Sequence, residues 1–315
     1  MLRRLVFSIL ALCAFLGAAS QAAIPEQKRP EPASPKLHIA HATAATLSAH
    51  PALWRVEGRR GTIWLMGSMH LLPENVSWRS PGIARAIKTA DVFVFEAPSD
   101  RAAMQKMQTL IAAEGSLPPG QSLRAMLSPA ARSDYDDELS ALNIVPAAVD
   151  TRRPWLASLL MSVMQMKQET GRLRLGPDFQ LALEAGVRRK EIRYLETIEQ
   201  QMALIVPSDP SVELEEFEAD LKEMRSEKDE FPAFIAAWSD GDVAKIDALM
   251  NGSFEGYPQA RKVFLSDRNQ VWVLQFEKML DEKHTFFVTV GAGHLAGTDG
   301  VPALLRAAGY KVEGP

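Results

Sequence analysis

Apolar positions along this chain fall into three kinds of run. The first is a continuous block from Leu5 to Ala19, behind Met1-Leu2-Arg3-Arg4 and ahead of the small residues Ala18 to Ala23. A positive start, an apolar core and small residues before a break predict a cleaved secretory signal over residues 1–22. The block is short for a bilayer, which takes about 20 apolar residues to span. The second kind comprises short runs bounded by turn residues, read as strands. Leu53 to Val56 and Thr62 to Met66, joined by Glu57-Gly58-Arg59-Arg60-Gly61, make a hairpin. Asp91 to Phe95, Glu191 to Leu195 and Thr285 to Val290 follow, with a small last strand at Tyr310 to Val312. The third kind repeats at helical spacing. It fills residues 99–188, broken at Pro118-Pro119, Pro146, Pro154 and Pro177, then 197–282 and about 300–308. Strands interleaved with helices predict an α/β domain, a mixed central sheet flanked by helices.

Composition divides the chain further. Residues 23–50 are rich in Pro and Ala and read as a disordered tether, leaving 51–315 as one folded domain. The tether holds a His-x-x-His, His38 and His41, which flexible sequence gives no metal-binding weight. Cys13, the only cysteine, lies inside the signal. Disulfides, thiolate metal sites and a cysteine nucleophile therefore drop out of the mature protein. The net charge of -4 offers no nucleic-acid surface. No later stretch is long and apolar enough to span a membrane, so the expected location is periplasmic or secreted. Met161, Met164 and Met166 read as core packing, and the charged stretch 213–230 as a solvated helix face.

Chemistry concentrates where strands end. Gly67-Ser68-Met69-His70 follows one strand and Gly291-Ala292-Gly293-His294 another. Glycine permits a sharp turn and close approach to a ligand. Each histidine then lies past the carboxyl end of a strand, where open α/β sheets bind ligands. Glu96 and Glu196 follow two other strands in the same way. If those strands are neighbours, two imidazoles and two carboxylates converge, a set suited to a divalent ion with a place for water. A bound ion would activate that water, and a spare carboxylate would serve as base. Without an ion, the same groups suit direct acid–base hydrolysis. Arg268, in Ser266-Asp267-Arg268-Asn269, sits where a helix is predicted to begin; a cation there opposes the helix dipole, so a role in holding a substrate carboxylate or an oxyanion is expected. There is no Gly-x-Ser-x-Gly elbow, phosphate loop or His-Glu-x-x-His helix. His284 precedes a strand and reads as structural.

At these residues the chain resembles the TraB/GumN family, which includes the TIKI-type membrane proteases. The likeness runs from Gly61 to Leu71, through Phe93 to Glu96, Arg153-Pro154-Trp155, Gly176-Pro177-Asp178, Leu195-Glu196-Thr197 with Gln201, and Arg268-Asn269, to Val290 to Leu295 with Gly297 and Asp299-Gly300. The resemblance implies a fold related to the erythromycin-esterase type and one site built from both Gly-x-x-His motifs. It further implies a metal-dependent hydrolase, a peptidase acting on a peptide or protein, with Mn or Co as the ion and Zn as a lesser option. His70, His294 and Glu96 would be ligands, and Glu96, Glu196 and Arg268 would act in catalysis. The sequence is expected to lack the carboxy-terminal anchor of the TIKI type, a departure that weakens the transfer of their membrane-associated substrate. Two other readings stay open: a metal-free His/Glu hydrolase, and a protein that binds a peptide or glycan without turnover.

Overall fold

β-branched and aromatic residues dominate the runs that form the central sheet: β1 (Leu53–Glu57), β2 (Thr62–Ser68), β3 (Val92–Phe95), β4 (Glu191–Tyr194), β5 (Thr285–Gly291) and β6 (Lys311–Glu313). This computed structural model describes residues 46–207, 209–226 and 230–315. The expected signal and most of the expected tether, with His38 and His41, lie outside the described residues. The sheet order is β6-β1-β2-β5-β3-β4. β6 and β1 pair antiparallel at one edge, and β1 pairs antiparallel with β2. From β2 onward every pairing is parallel. The four parallel strands therefore all end at the same edge of the sheet. β3 is wholly buried and β5 nearly so, as strands covered on both faces must be.

Helices cover both faces. One face, with Ile63, Val94 and Val288, packs on Trp272 and Phe276 of the helix Asp267–Leu280 and on Leu305 of the helix Val301–Ala307. The other face, with Met66, Phe95 and Phe287, packs beneath the helices inserted between strands. A satellite core joins the helices Pro129–Ala141, Pro154–Thr170 and Glu213–Ser226 around Tyr135, Met161 and Phe217. Met161 and Met166 are buried, as core packing requires.

Two sequence expectations change. The charged helix Glu213–Ser226 is not simply a solvated face. Phe217, Leu221 and Met224 are buried, and so are Glu213 and Asp220. Arg153 pairs with Glu213, and Ser158 Oγ donates to Asp220 at 2.7 Å. The charges obscured an apolar stripe at helical spacing. The fold also begins before Pro51. Leu47–Ser48 pairs in parallel with Val76–Ser77, Ala49 is buried, and His50 N–H donates to Ser239 O at 2.6 Å.

Two short strands bear directly on the site. Leu71–Pro73 pairs antiparallel with Leu173–Leu175, tying the segment after His70 to the segment before Asp178. At the junction Gly176 N–H donates to His70 O at 2.7 Å. A Cβ on Gly176 would lie 1.7 Å from Met69 O, so only glycine permits this contact.

Candidate active site

The parallel register fixes which side chains meet. Ser68 of β2 stands opposite Gly291 of β5, and Phe95 of β3 opposite Thr289 of β5. Leu195 N–H donates to Phe95 O, and Glu196 N–H to Glu96 O, so the two glutamates leave the sheet side by side. Gly67 lies against Ala292: an added Cβ would come within 2.9 Å of Ala292 Cα, which lets the two Gly-x-x-His loops abut. The structure thus brings Glu96, Glu196, Arg268 and His294 into one hydrogen-bonded cluster, with His70 lining the same cleft as Glu96.

Arg268 is its centre. Nε donates to Glu196 Oε1 at 2.7 Å, and Nη2 to Glu96 Oε2 at 2.7 Å and Glu196 Oε2 at 3.1 Å. Nη1 donates to Phe264 O at 3.0 Å and to His294 Nε2 at 2.9 Å. Guanidinium carries five N–H donors, and all five are engaged. The guanidinium also lies over the Trp272 ring, 4.7 Å from its centroid. Its burial opposes the charged form, and the two glutamates outweigh that and raise its pKa. Arg268 is the second residue of the α-helix Asp267–Leu280, at the helix start the sequence predicts, but that start is not a free end. A π-helical turn, Lys262–Ser266, runs into Asp267–Leu280, and Ser266 has helical dihedrals. The dipole argument fails because the backbone continues upstream. The irregular turn carries Phe264, whose carbonyl holds the guanidinium.

His294 is held as a neutral acceptor. Its Nδ1 donates to Asn269 Oδ1 at 2.6 Å, and its Nε2 accepts a hydrogen bond from Arg268 Nη1. Burial, with Arg268 alongside, pushes its pKa down to about 3. Trp272 packs on its ring with centroids 4.3 Å apart. Glu96 behaves oppositely. Burial alone would raise its pKa, but Arg268 and the Gly291 N–H, 2.6 Å from Oε1, hold it down at about 2. Glu196 accepts from Trp272 Nε1 at 2.9 Å and from Gln201 Nε2 at 2.5 Å.

His70 has a different partner. Its Nδ1 lies 2.5 Å from Asp178 Oδ2, and Ser68 Oγ donates to Asp178 Oδ1 at 2.8 Å. An ionised carboxylate accepts, so Nδ1 carries the proton and Nε2 the lone pair. That Nε2 is buried and has no hydrogen-bond partner. Burial works against the imidazolium, yet Asp178 overcomes it and His70 is raised above its usual value. A cleft open to solvent is lined by His70, Glu96, Asp178, Gln201 and Thr289 among apolar side chains such as Phe179. Arg268, Glu196 and His294 lie behind that lining.

The expected metal ligands do not form a coordination set as arranged. Both nitrogens of His294 are engaged, and both Glu96 oxygens accept N–H donors. Only His70 Nε2 is free. Among the described residues no group of three or more His, Cys, Asp or Glu is placed to hold an ion. The meeting point of the strand ends suits a fixed guanidinium.

Sequence reasoning met Asp178 only within the Gly176-Pro177-Asp178 segment of the family likeness and gave it no role, and it did not single out Thr289. Gly176-Pro177-Asp178 reads as an ordinary helix start, with proline first and an acid in the first turn. The usable signal was Gly176, whose need to be glycine implies a close backbone neighbour. Thr289 is one β-branched residue in an apolar run, with nothing local to mark it.

Comparisons with known proteins find relatives of this chain. Two relatives, from Escherichia coli (strain K12) and Shigella flexneri, are both named "Uncharacterized protein YbaP". Each is 22% identical over 242 residues, which is 77% of this chain and 87% of the relative. No solved structure matches the chain. The TraB/PrgY/gumN family, by contrast, matches over residues 52–314, a span that includes every strand of the sheet and every residue of the cluster, and the chain belongs to that family.

Proposed function

We propose that this protein is a hydrolase in which His70 acts as general base on a water that adds to a carbonyl in the cleft. The observation that carries the reading is the His70–Asp178 pair ending in an unpartnered Nε2. Asp178 fixes the tautomer that leaves Nε2 basic, and Ser68 fixes Asp178. Glu96 stays ionised on the cleft wall and stabilises the imidazolium formed when His70 takes a proton. Glu196 and Arg268 hold Glu96 and His294 in place; with all five N–H groups engaged, Arg268 has none left for substrate. The substrate class follows the family likeness, a peptide or protein, and the signal expected over residues 1–22 supports a location in the periplasm or outside the cell.

A metal-dependent peptidase is the second reading, with Mn or Co, or Zn, on His70, His294 and Glu96. One observation favours it, the same orphaned Nε2 beside Glu96. It requires Arg268 to withdraw from both His294 and Glu96.

The test compares wild type with His70→Gln and Asp178→Asn on 4-nitrophenyl butyrate and a quenched-fluorescence peptide library, with and without EDTA. General acid–base catalysis is worth about 100- to 10,000-fold, so H70Q is expected to lose activity on that scale while EDTA changes nothing. Turnover abolished by EDTA and restored by Mn or Co selects the metal reading. Peptide or glycan binding without turnover makes the protein a binding protein and removes the hydrolase reading.

A further inference from the structure

Thr289 stands in β5 opposite Met66 of β2 and Phe95 of β3. Both neighbours belong to the apolar face of the sheet. The residue is buried, and its hydroxyl has no hydrogen-bond partner among the described residues. An unpaired buried hydroxyl is destabilising, and valine would fill the same shape without that cost. A retained, unsatisfied group of this kind calls for an explanation.

Its position supplies one. Thr289 and His70 line the same cleft, and each contributes an orphaned polar atom. The other donors nearby are committed. Arg268 has no free N–H, and Gln201 donates to Glu196. Ser99 also lines the cleft but is partly open to water and carries no such cost.

Resting on the hydrolase reading above, we propose that Thr289 is a catalytic residue whose Oγ1–H donates to the substrate carbonyl oxygen and holds it as an oxyanion. His70 Nε2 takes a proton from water as the water oxygen bonds to the carbonyl carbon. The carbonyl π pair moves onto its oxygen, which accepts the Thr289 hydrogen bond. Collapse re-forms the C=O bond and breaks the bond to the leaving group. The leaving group departs with the proton from His70, which restores the base. Both atoms are covered in this conformation, so ligand binding widens the cleft to reach them.

The experiment measures kcat, KM and melting temperature for wild type, Thr289→Val, Thr289→Ser and His70→Gln on whichever ester or peptide the wild type cleaves. Removing an oxyanion donor costs about 100-fold or more in kcat. T289V is expected to fall on that scale with KM within a few-fold, while T289S recovers most of the loss. T289V should melt no lower than wild type, because it removes an unsatisfied group. Near-normal turnover in T289V, a failure of serine to rescue, or a T289V melting point several degrees lower each overturns the proposal. If H70Q is inactive and T289V is not, this proposal falls alone; if the wild type cleaves nothing, the hydrolase reading falls and takes it along.

Discussion

At the scale of single residues, the cluster is organised by one cation and by two histidines with opposite tasks. Arg268 neutralises two buried carboxylates at once, so its loss leaves both unpaired. Breaking a buried pair by removing one partner costs about 3–5 kcal/mol. Arg268→Met is expected to destabilise on that scale in urea denaturation, and a loss under about 1 kcal/mol would mean the pairs behave as surface pairs. His294 makes a prediction about pH. Its folded pKa is depressed to about 3, so below its unfolded value of 6.5 the unfolded chain binds the proton that the folded state refuses. Stability from this group is whole above pH 6.5 and declines as pH falls toward 3. His70 is shifted upward, so what it adds is complete by pH 6.5 and does not mask the decline. Carboxylate linkage, including that of Glu96, sets in mainly below its unfolded value of 4.5. Between pH 6.5 and 5 the melting temperature should therefore fall, and His294→Gln should flatten that slope whatever it does to the absolute stability. Parallel slopes in the two proteins would show that His294 titrates normally in the fold.

At the scale of elements, the site depends on a helix being set against a loop. The helix Pro177–Val187 brings Asp178 to His70 only because Gly176 lets backbone touch backbone. In Gly176→Ala the new Cβ would fall 1.7 Å from Met69 O, and backbone cannot yield as a flexible side chain does. The variant is expected to lose about 2 kcal/mol or more, as overpacking does, and to move Asp178 from His70. By NMR the His70 titration should drop toward a lower pH, since the carboxylate that raises it has receded. An unchanged His70 titration would show that the pair does not need this contact. The same element explains what was and was not legible in the sequence. Buried strands announce themselves by unbroken apolar runs, and the residue after each run is then a strand end, so His70, Glu96, Glu196 and His294 could be located. The order of the strands could not, because Val-Phe-Val-Phe buried on both faces carries no mark of its neighbour. Asp178 was hidden for a further reason: its partner lies 108 residues away, joined through the short pairing of Leu71–Pro73 with Leu173–Leu175, whose few residues leave no periodic signal.

At the scale of the whole molecule, the placement of charge argues for the kind of substrate. The parallel strands gather two carboxylates, Glu96 and Glu196, around the Arg268 guanidinium at one edge of the sheet, and the helix Pro177–Val187 adds Asp178 beside His70. Glu96 and Asp178 line the cleft, and among the described residues no lysine or arginine does. The remaining walls come from separate layers, Phe95 at a strand end, Met107 and Phe179 from two helices, and Ile198 and Ile205 from a third. A substrate therefore meets apolar walls and net negative potential. Like charges about 4 Å apart near a protein surface repel by up to about 4 kcal/mol before salt screens them. Under the hydrolase reading, a neutral apolar acyl group should be preferred to an acidic one of matched length. The comparison is 4-nitrophenyl butyrate against mono-4-nitrophenyl succinate, with kcat/KM expected to favour the butyrate roughly tenfold or more, a gap that narrows as ionic strength rises. Glu96→Gln removes one of the cleft charges and should reduce the ratio even where it lowers both rates. A preference for the succinate would place a cation in the cleft that this arrangement does not provide, and would mean that Arg268 leaves its two glutamates when substrate binds.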